Sequence, residues 1–290
     1  MFGSIKYRII RPLLIRPPYS KFSRVLASKF LNISNKYTPI EIDNYIKDKN
    51  IILNENGFFT SDVNELNLSS IFNKLIDKIS ELGFPQSGKI NDIKNQELIN
   101  FIKLKLNENS KKKFKISISD LVGSKLLDQF KNIEIFKKIS SNYLKVNTHN
   151  SYIDVLFDHN MMNQEHPKES QLFHQDHNGI LFLKIFIYLI DVDHKNGPYS
   201  YVKSTHNKKF MKSLKLKKYH INDNFRYNNE EVLKLVKNNI VTFNEKKGKI
   251  IFSDTTGLHR GIVPNKDYFR LLLSMTFEPK NSMLSFTNTK

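Results

Sequence analysis

The feature that most constrains this chain is its second half, where apolar runs of strand length recur between turn signals. Residues 152–157, 181–189, 250–252 and 271–277 are dominated by β-branched, aliphatic and aromatic side chains. Asn178-Gly179, Asn196-Gly197-Pro198 and Lys247-Gly248 punctuate them as turns. The first half reads differently. Ile42, Tyr45 and Ile46, then Leu68, Ile71, Phe72, Leu75, Ile76 and Ile79, recur at helical spacing. Leu98, Phe101 and Ile102, and then Leu121, Leu126, Leu127 and Phe130, mark further helices. Ile51-Ile52-Leu53 before Asn56-Gly57 reads as a short strand and turn, the basic run 109–113 as a solvated loop, and 228–238 as a helical insertion with a charged face. Helices gathered ahead of several strands predict an α+β chain with a mainly β core, a sandwich or barrel buttressed by N-terminal helices. With no internal repeat and no Pro- or Ser-rich linker, the simplest partition is one domain, 41–290, after an extension, 1–40. Its helical part is 41–142 and its β part 143–280.

The extension is strongly basic. It carries eight Lys or Arg, four of the chain's seven arginines among them, and no acid precedes Glu41. A net charge of +18 raises nucleic acid as a partner. Against this, 39 Lys, 7 Arg and 33 Asn describe a broad drift in residue usage, whereas phosphate-reading surfaces favour Arg. The basic residues also spread over helices and loops instead of alternating with aromatics on one strand face, so no nucleic-acid partner is expected. Two readings of the extension stand: a segment resting on an anionic membrane or partner, or a solvated arm packed on the domain. An organelle-targeting peptide is a third. Arg11, Arg16 and Pro17-Pro18 interrupt the apolar stretch a secretory signal needs. The longest apolar run, 180–190, contains Lys184 and falls short of the roughly 20 residues that span a bilayer. The expected location is cytoplasmic, with possible peripheral contact through 1–40. The absence of Cys excludes disulfides, thiolate metal sites and cysteine nucleophiles.

Chemistry concentrates in Phe173-His174-Gln175-Asp176-His177. On a strand, His-x-Asp sends both side chains to one face, where an imidazole and a carboxylate can grip a divalent ion. About half an occurrence of this tripeptide is expected by chance in such a chain, so it decides nothing alone. A second His from a distant strand would complete a 2-His-1-carboxylate set, leaving three positions open on octahedral Fe(II). Residues 248–254 read as a strand running into a turn that delivers His259. Eleven residues later Arg270 lies inside an apolar strand, where a guanidinium could pair bidentately with the distal carboxylate of a dicarboxylate co-substrate.

Five motifs in order carry a family resemblance: His174-Gln175-Asp176; the strand ending Asp191-Val192; Asn196-Gly197-Pro198; Ser204-Thr205-His206; and 248–252 leading through His259 to Arg270. Together with Asn54-Glu55-Asn56-Gly57-Phe58-Phe59, similar to the family's opening strand, they span residues 50–280. The chain resembles the phytanoyl-CoA dioxygenase family of Fe(II)/2-oxoglutarate-dependent oxygenases. The resemblance implies a double-stranded β-helix, a cupin-like jelly roll. It also implies His174, Asp176 and His259 as iron ligands, Arg270 as the 2-oxoglutarate anchor, and O2 as co-substrate. Two positions depart from the family pattern. The Gly of its Gly-Ser-His turn is Lys203 or Ser204 here, and the Ser or Thr two residues after the distal His is Gly261. The carboxylate that halogenating relatives lack is present as Asp176, which favours hydroxylation of a C–H bond with release of succinate and CO2. The family's substrates range over acyl-CoA thioesters, compatible solutes, natural products and sugars, so a small-molecule or carrier-linked metabolite is expected.

Further residues have functional and structural readings side by side. Lys184 on the cavity side would meet 2-oxoglutarate or an acidic substrate; on the outer face it is a solvated lysine. His177, Asn178 and His159 are candidates for the substrate side of the site, as are Arg260 and Arg226 for an anionic group. His206 reads as bracing the turn after Gly197. Ser253-Asp254-Thr255-Thr256 lacks the Gly-x-Ser-x-Gly elbow of a nucleophile and reads as the loop leading to His259. The competing functional class is a catalytically silent jelly roll that binds an anionic saccharide or lipid. Convergence of His174, Asp176 and His259 on one point separates the two.

Overall fold

The computed structural model describes residues 24–25, 27–29, 43–108, 114–161, 166–176, 181–216, 219–221 and 224–279. The loop expected at 109–113 lies outside them, as do His177, Asn178 and most of the basic extension.

The helical half begins with a correction. Residues 51–53, expected as a strand, belong to helix α1 (Asn44–Asn56). The Asp43 carboxylate accepts the Ile46 N–H at 2.8 Å as an N-cap, and Gly57 ends the helix at φ 85°. The apolar run therefore spends three residues on helix before strand β1 (Phe58–Asp62) begins. Helices α2 (Ser69–Glu81) and α3 (Gln96–Glu108) fall where the periodicity places them, and α2 buries Phe72, Leu75 and Ile79 on one face. The leucines at 121–127 divide at Gly123 into α4 (Ser119–Val122) and α5 (Ser124–Lys131), and α6 (Glu134–Leu144) closes the helical half.

Two six-stranded antiparallel sheets follow. The larger runs β1, β10 (Lys249–Ser253), β5 (Leu183–Tyr188), β12 (Phe269–Pro279), β3 (Thr148–His159) and β2 (Lys115–Ser117). The smaller runs β7 (Tyr219–Ile221), β8 (Asn224–Tyr227), β4 (Phe173–His174), β11 (His259–Gly261), β6 (Tyr199–Val202) and β9 (Ile240–Thr242). Two further helices, α7 (Lys208–Ser213) and α8 (Asn229–Val236), lie between strands of the smaller sheet in sequence; α8 is the expected insertion.

Alternation along the larger sheet sorts its residues between two environments. Val155 and Phe157 of β3, Ile185 and Ile187 of β5, and Leu271, Leu273, Met275 and Phe277 of β12 are all wholly buried in the core shared with the helices. Phe136 of α6 packs edge-on against Phe252 and Phe277, with ring centroids 5.7 and 6.4 Å apart. Burying each such side chain contributes about 1.5–3 kcal/mol. The intervening residues, Leu156, Asp158, Lys184, Phe186, Arg270 and Leu272, face the smaller sheet and line a cavity between the two. Bonds also tie the sheets together, as where the Tyr199 and Ser253 hydroxyls meet at 2.9 Å. Among the described residues, no helix is long and apolar enough to cross a membrane.

Candidate metal centre

His174 and His259 sit directly opposite each other on β4 and β11. Their ring centroids are 4.2 Å apart, and both side chains are buried. Each imidazole is oriented by its own backbone two residues upstream. Nδ1–H of His174 donates to the Leu172 carbonyl at 2.9 Å, and Nδ1–H of His259 to the Gly257 carbonyl at 3.0 Å. Those bonds assign the proton to Nδ1 and leave the Nε2 lone pair of both rings facing Asp176. The carboxylate stands 3.5 Å from each Nε2, through Oδ1 to His174 and Oδ2 to His259.

These three residues fit a divalent ion. Their ligand atoms lie within 4.8 Å of one another. A common ion about 2.1 Å from each would hold neighbouring ligands about 3 Å apart in octahedral geometry, so the 3.5 Å carboxylate–imidazole separations would contract slightly around it. Asp176 Oδ2 is buried and accepts no hydrogen bond of good geometry, which leaves its lone pairs available to a metal ion. Lys184 Nζ lies 2.7 Å from it, an ion pair outside hydrogen-bond geometry. Burial disfavours charge on Asp176, but Lys184, His259 and His174 together hold its carboxyl well below the usual range. Burial and the neighbouring His174 lower the His259 pKa to about 3, keeping the ring neutral and able to ligate.

The centre opens onto a cavity of about 320 Å³. Lys184 lies on its wall, which settles the side taken by a residue whose sequence allowed either. Arg270 is there too, but with a partner that motif reading missed. Asp158 stands opposite Arg270 in the strand register, and its Oδ2 accepts from Nε at 3.1 Å and Nη2 at 2.5 Å. Nη1 donates to the Gly197 carbonyl. Lys115, opposite Asp158 on its other flank, brings Nζ to 3.8 Å from Oδ1. Burial opposes ionisation of Asp158, and Lys115 and Arg270 more than offset it, so its pKa is lowered. Burial also lowers the pKa of Lys115, with Asp158 opposing and Arg270 and Lys184 reinforcing. The cavity thus gathers Lys115, Lys184 and Arg270 against Asp158 and Asp176, an excess of one positive charge before any ion enters.

Two positions noted in the sequence, Gly261 and Ser204, have local physical reasons. A Cβ at Gly261 would lie 2.7 Å from Arg270 Nη2, so the glycine makes room for the guanidinium. Ser204 adopts a left-handed φ of 64°, a region that favours glycine. It is held there by its N–H on the Asn56 carbonyl at 2.8 Å and its hydroxyl on the Glu55 carbonyl at 2.7 Å.

Several expected site residues lie elsewhere. His159 follows Asp158 on β3 and so points to the opposite face, buried with its ring 5.0 Å from that of Phe157. Arg260 follows His259 and points away likewise, its guanidinium 4.5 Å over the Phe173 ring. Neither lines the cavity. Arg226 Nη2 lies 3.4 Å from Glu169 Oε2. His206 braces the last turn of α1, not the turn after Gly197, through a 2.9 Å bond between Nε2 and the Asn54 carbonyl. The sequence did carry a signal for Asp158, since Asp154, Leu156 and Asp158 share a face by alternation. Lys115 had none to separate it from the basic run before it.

No protein-family model and no curated protein matches this sequence. Solved structures do. SnoN, an epimerase determined with Fe3+, alpha-ketoglutarate and nogalamycin RO, aligns over 81% of this chain and 84% of its own at 12% identity, with a TM-score of 0.50. The fold is shared with SnoN. SnoK, a non-heme alpha-ketoglutarate-dependent carbocyclase, aligns over 84% and 86% at 13% identity and TM-score 0.49. EctD from S. alaskensis, determined with 2-oxoglutarate and 5-hydroxyectoine, aligns over 87% and 81% at 11% identity and TM-score 0.49.

Proposed function

We propose that this chain is a non-haem Fe(II)/2-oxoglutarate-dependent dioxygenase of the phytanoyl-CoA dioxygenase type, built on a double-stranded β-helix. The observation that carries the reading is the convergence of His174 Nε2, His259 Nε2 and the Asp176 carboxylate on one side of a cation-rich cavity. His174, Asp176 and His259 would hold the iron, which when bound supplies activation of O2 coupled to decarboxylation of 2-oxoglutarate. Asp176 contributes one negative charge, and two neutral imidazoles leave the site cationic once the metal enters. That charge and the cations of Lys115, Lys184 and Arg270 favour a dicarboxylate. Arg270 keeps N–H donors beyond those given to Asp158 and Gly197, and these would receive the distal carboxylate. Leu156, Phe186 and Leu272 supply the apolar wall that excludes water from a reacting C–H bond. The substrate is a small or carrier-linked metabolite, and the reaction is a hydroxylation releasing succinate and CO2.

The Asp158–Arg270 pair favours one alternative. Because the guanidinium already has a carboxylate partner, a catalytically silent jelly roll binding an anionic saccharide or lipid through the remaining lysines is the second reading. An anaerobic titration with Fe(II) and 2-oxoglutarate, followed by O2 and succinate detection over a metabolite panel, separates the two. Folded protein that takes up neither Fe(II) nor 2-oxoglutarate rejects the dioxygenase.

A further inference from the structure

Arg24 is the one arginine of the basic extension within the described residues, and it is inserted into the domain. Its guanidinium grips Asp254 with two prongs, Nη1 to Oδ2 at 2.5 Å and Nη2 to Oδ1 at 3.0 Å. Nη2 also donates to Thr256 Oγ1 at 2.7 Å, and Nη1 to the Tyr143 hydroxyl at 3.2 Å. Asp254 is wholly buried and accepts two more hydroxyl bonds, from Tyr143 at 2.5 Å and Thr256 at 2.6 Å. A carboxylate buried this deeply is tolerated only with a paired, hydrogen-bonded cation. In the described structure that cation is Arg24, reaching across 230 positions of sequence.

The loop that Asp254 begins is also the scaffold of the metal centre. Its next three carbonyls each receive a bond from a ligand or a ligand's neighbour. Thr255 O accepts the Asp176 N–H at 2.8 Å. Thr256 O accepts Gln175 Nε2 at 2.6 Å, and Gly257 O accepts His259 Nδ1 at 3.0 Å. Two of the three ligands are thus oriented by a loop whose first and third residues are held by Arg24. Lysine, the residue this chain uses almost everywhere else, has no planar fork to match a carboxylate and a hydroxyl at once.

We infer that Arg24, outside the segments that carry the three ligands, is a positioning residue for the metal centre. The inference rests on the metal-site reading above. It is tested on the full chain by titrating Co(II), whose visible absorption reports coordination geometry, into wild type, Arg24→Ala and Arg24→Lys. Groups that orient ligands from behind typically contribute 10–100-fold in metal affinity. Arg24→Ala is expected to bind Co(II) 10–100-fold more weakly with altered absorption bands, and Arg24→Lys to fall between it and wild type. Wild-type affinity and spectrum in Arg24→Ala overturn the inference whatever happens to thermal stability; if the alanine variant does not fold, the same result in Arg24→Lys does so. A wild-type protein that takes up no Co(II) instead overturns the metal site, and this inference with it.

Discussion

Asp158→Asn puts the cavity's electrostatics to a quantitative test. In the wild type, Asp158 and Arg270 are 4% and 6% exposed at the side chain, and two hydrogen bonds converge on one carboxylate oxygen. The amide keeps the shape and one acceptor oxygen but removes the counter-charge. Breaking a buried pair from one side costs about 3–5 kcal/mol. The retained acceptor argues for the lower end, about 3 kcal/mol. For a domain of this size each kcal/mol moves the midpoint by about 2–4 °C, so Tm should fall by about 6–12 °C. The sign with pH follows from the depressed pKa of Asp158: its contribution is present above the unfolded carboxyl pKa near 4 and lost as pH falls through the folded value. The gap between wild type and variant should therefore narrow below about pH 4. A dicarboxylate entering the variant replaces the missing charge, so anaerobic 2-oxoglutarate should raise the variant's Tm more than the wild type's. Differential scanning calorimetry with and without co-substrate measures both. A variant within about 1 °C of wild type, with no larger response to 2-oxoglutarate, refutes this account of the cavity.

If the proposed iron site is right, alanine at His174, Asp176 or His259 should weaken Fe(II) binding by more than about 100-fold in anaerobic titration while circular dichroism stays native, since each would remove a whole ligand. Wild-type iron affinity in any of the three removes that residue from the site. His159 is buried with its pKa lowered to about 4, so stability is lost as pH falls from about 6.5 toward 4, at up to about 1.4 kcal/mol per pH unit from this residue. Urea midpoints measured across that range should fall less steeply in His159→Phe. Gly261→Ser drives a Cβ to within 2.7 Å of Arg270 Nη2. It should destabilise the protein by about 1–3 kcal/mol through overpacking, and calorimetry showing no loss would mean the guanidinium is free to swing aside.

Much of the fold was legible because period-two and period-3.6 patterning report directly which side chains must be buried. The runs at 152–157 and 271–277 became neighbouring strands β3 and β12, and Phe72, Leu75 and Ile79 became one helix face. Residues 51–53 misled because three aliphatic residues in a row carry no period, and the N-cap at Asp43 decided for helix. His-x-Asp, the distal His and Arg270 were readable as candidates because metal and carboxylate chemistry restricts the residue types that can serve. Their partners were not.

What the sequence by itself determined is the set of groups available and the face each takes along its own strand. Alternation alone sends His159 away from Asp158, and Arg260 away from His259, once the strands are known. Only the tertiary structure decided which of these faces meet. Lys115, Asp158 and Arg270 form a row because β2, β3 and β12 are adjacent in one sheet, and Arg24 reaches Asp254 because the short described segment that carries it packs against the Asp254 loop. Neither pairing leaves a local trace. A hydrogen bond or ion pair depends on distance in space, and residues 112 or 230 positions apart are brought within 3 Å only by the packing of everything between them. The imidazoles of His174 and His259 and the carboxylate of Asp176 were written in residue types; their common focus was made by the fold.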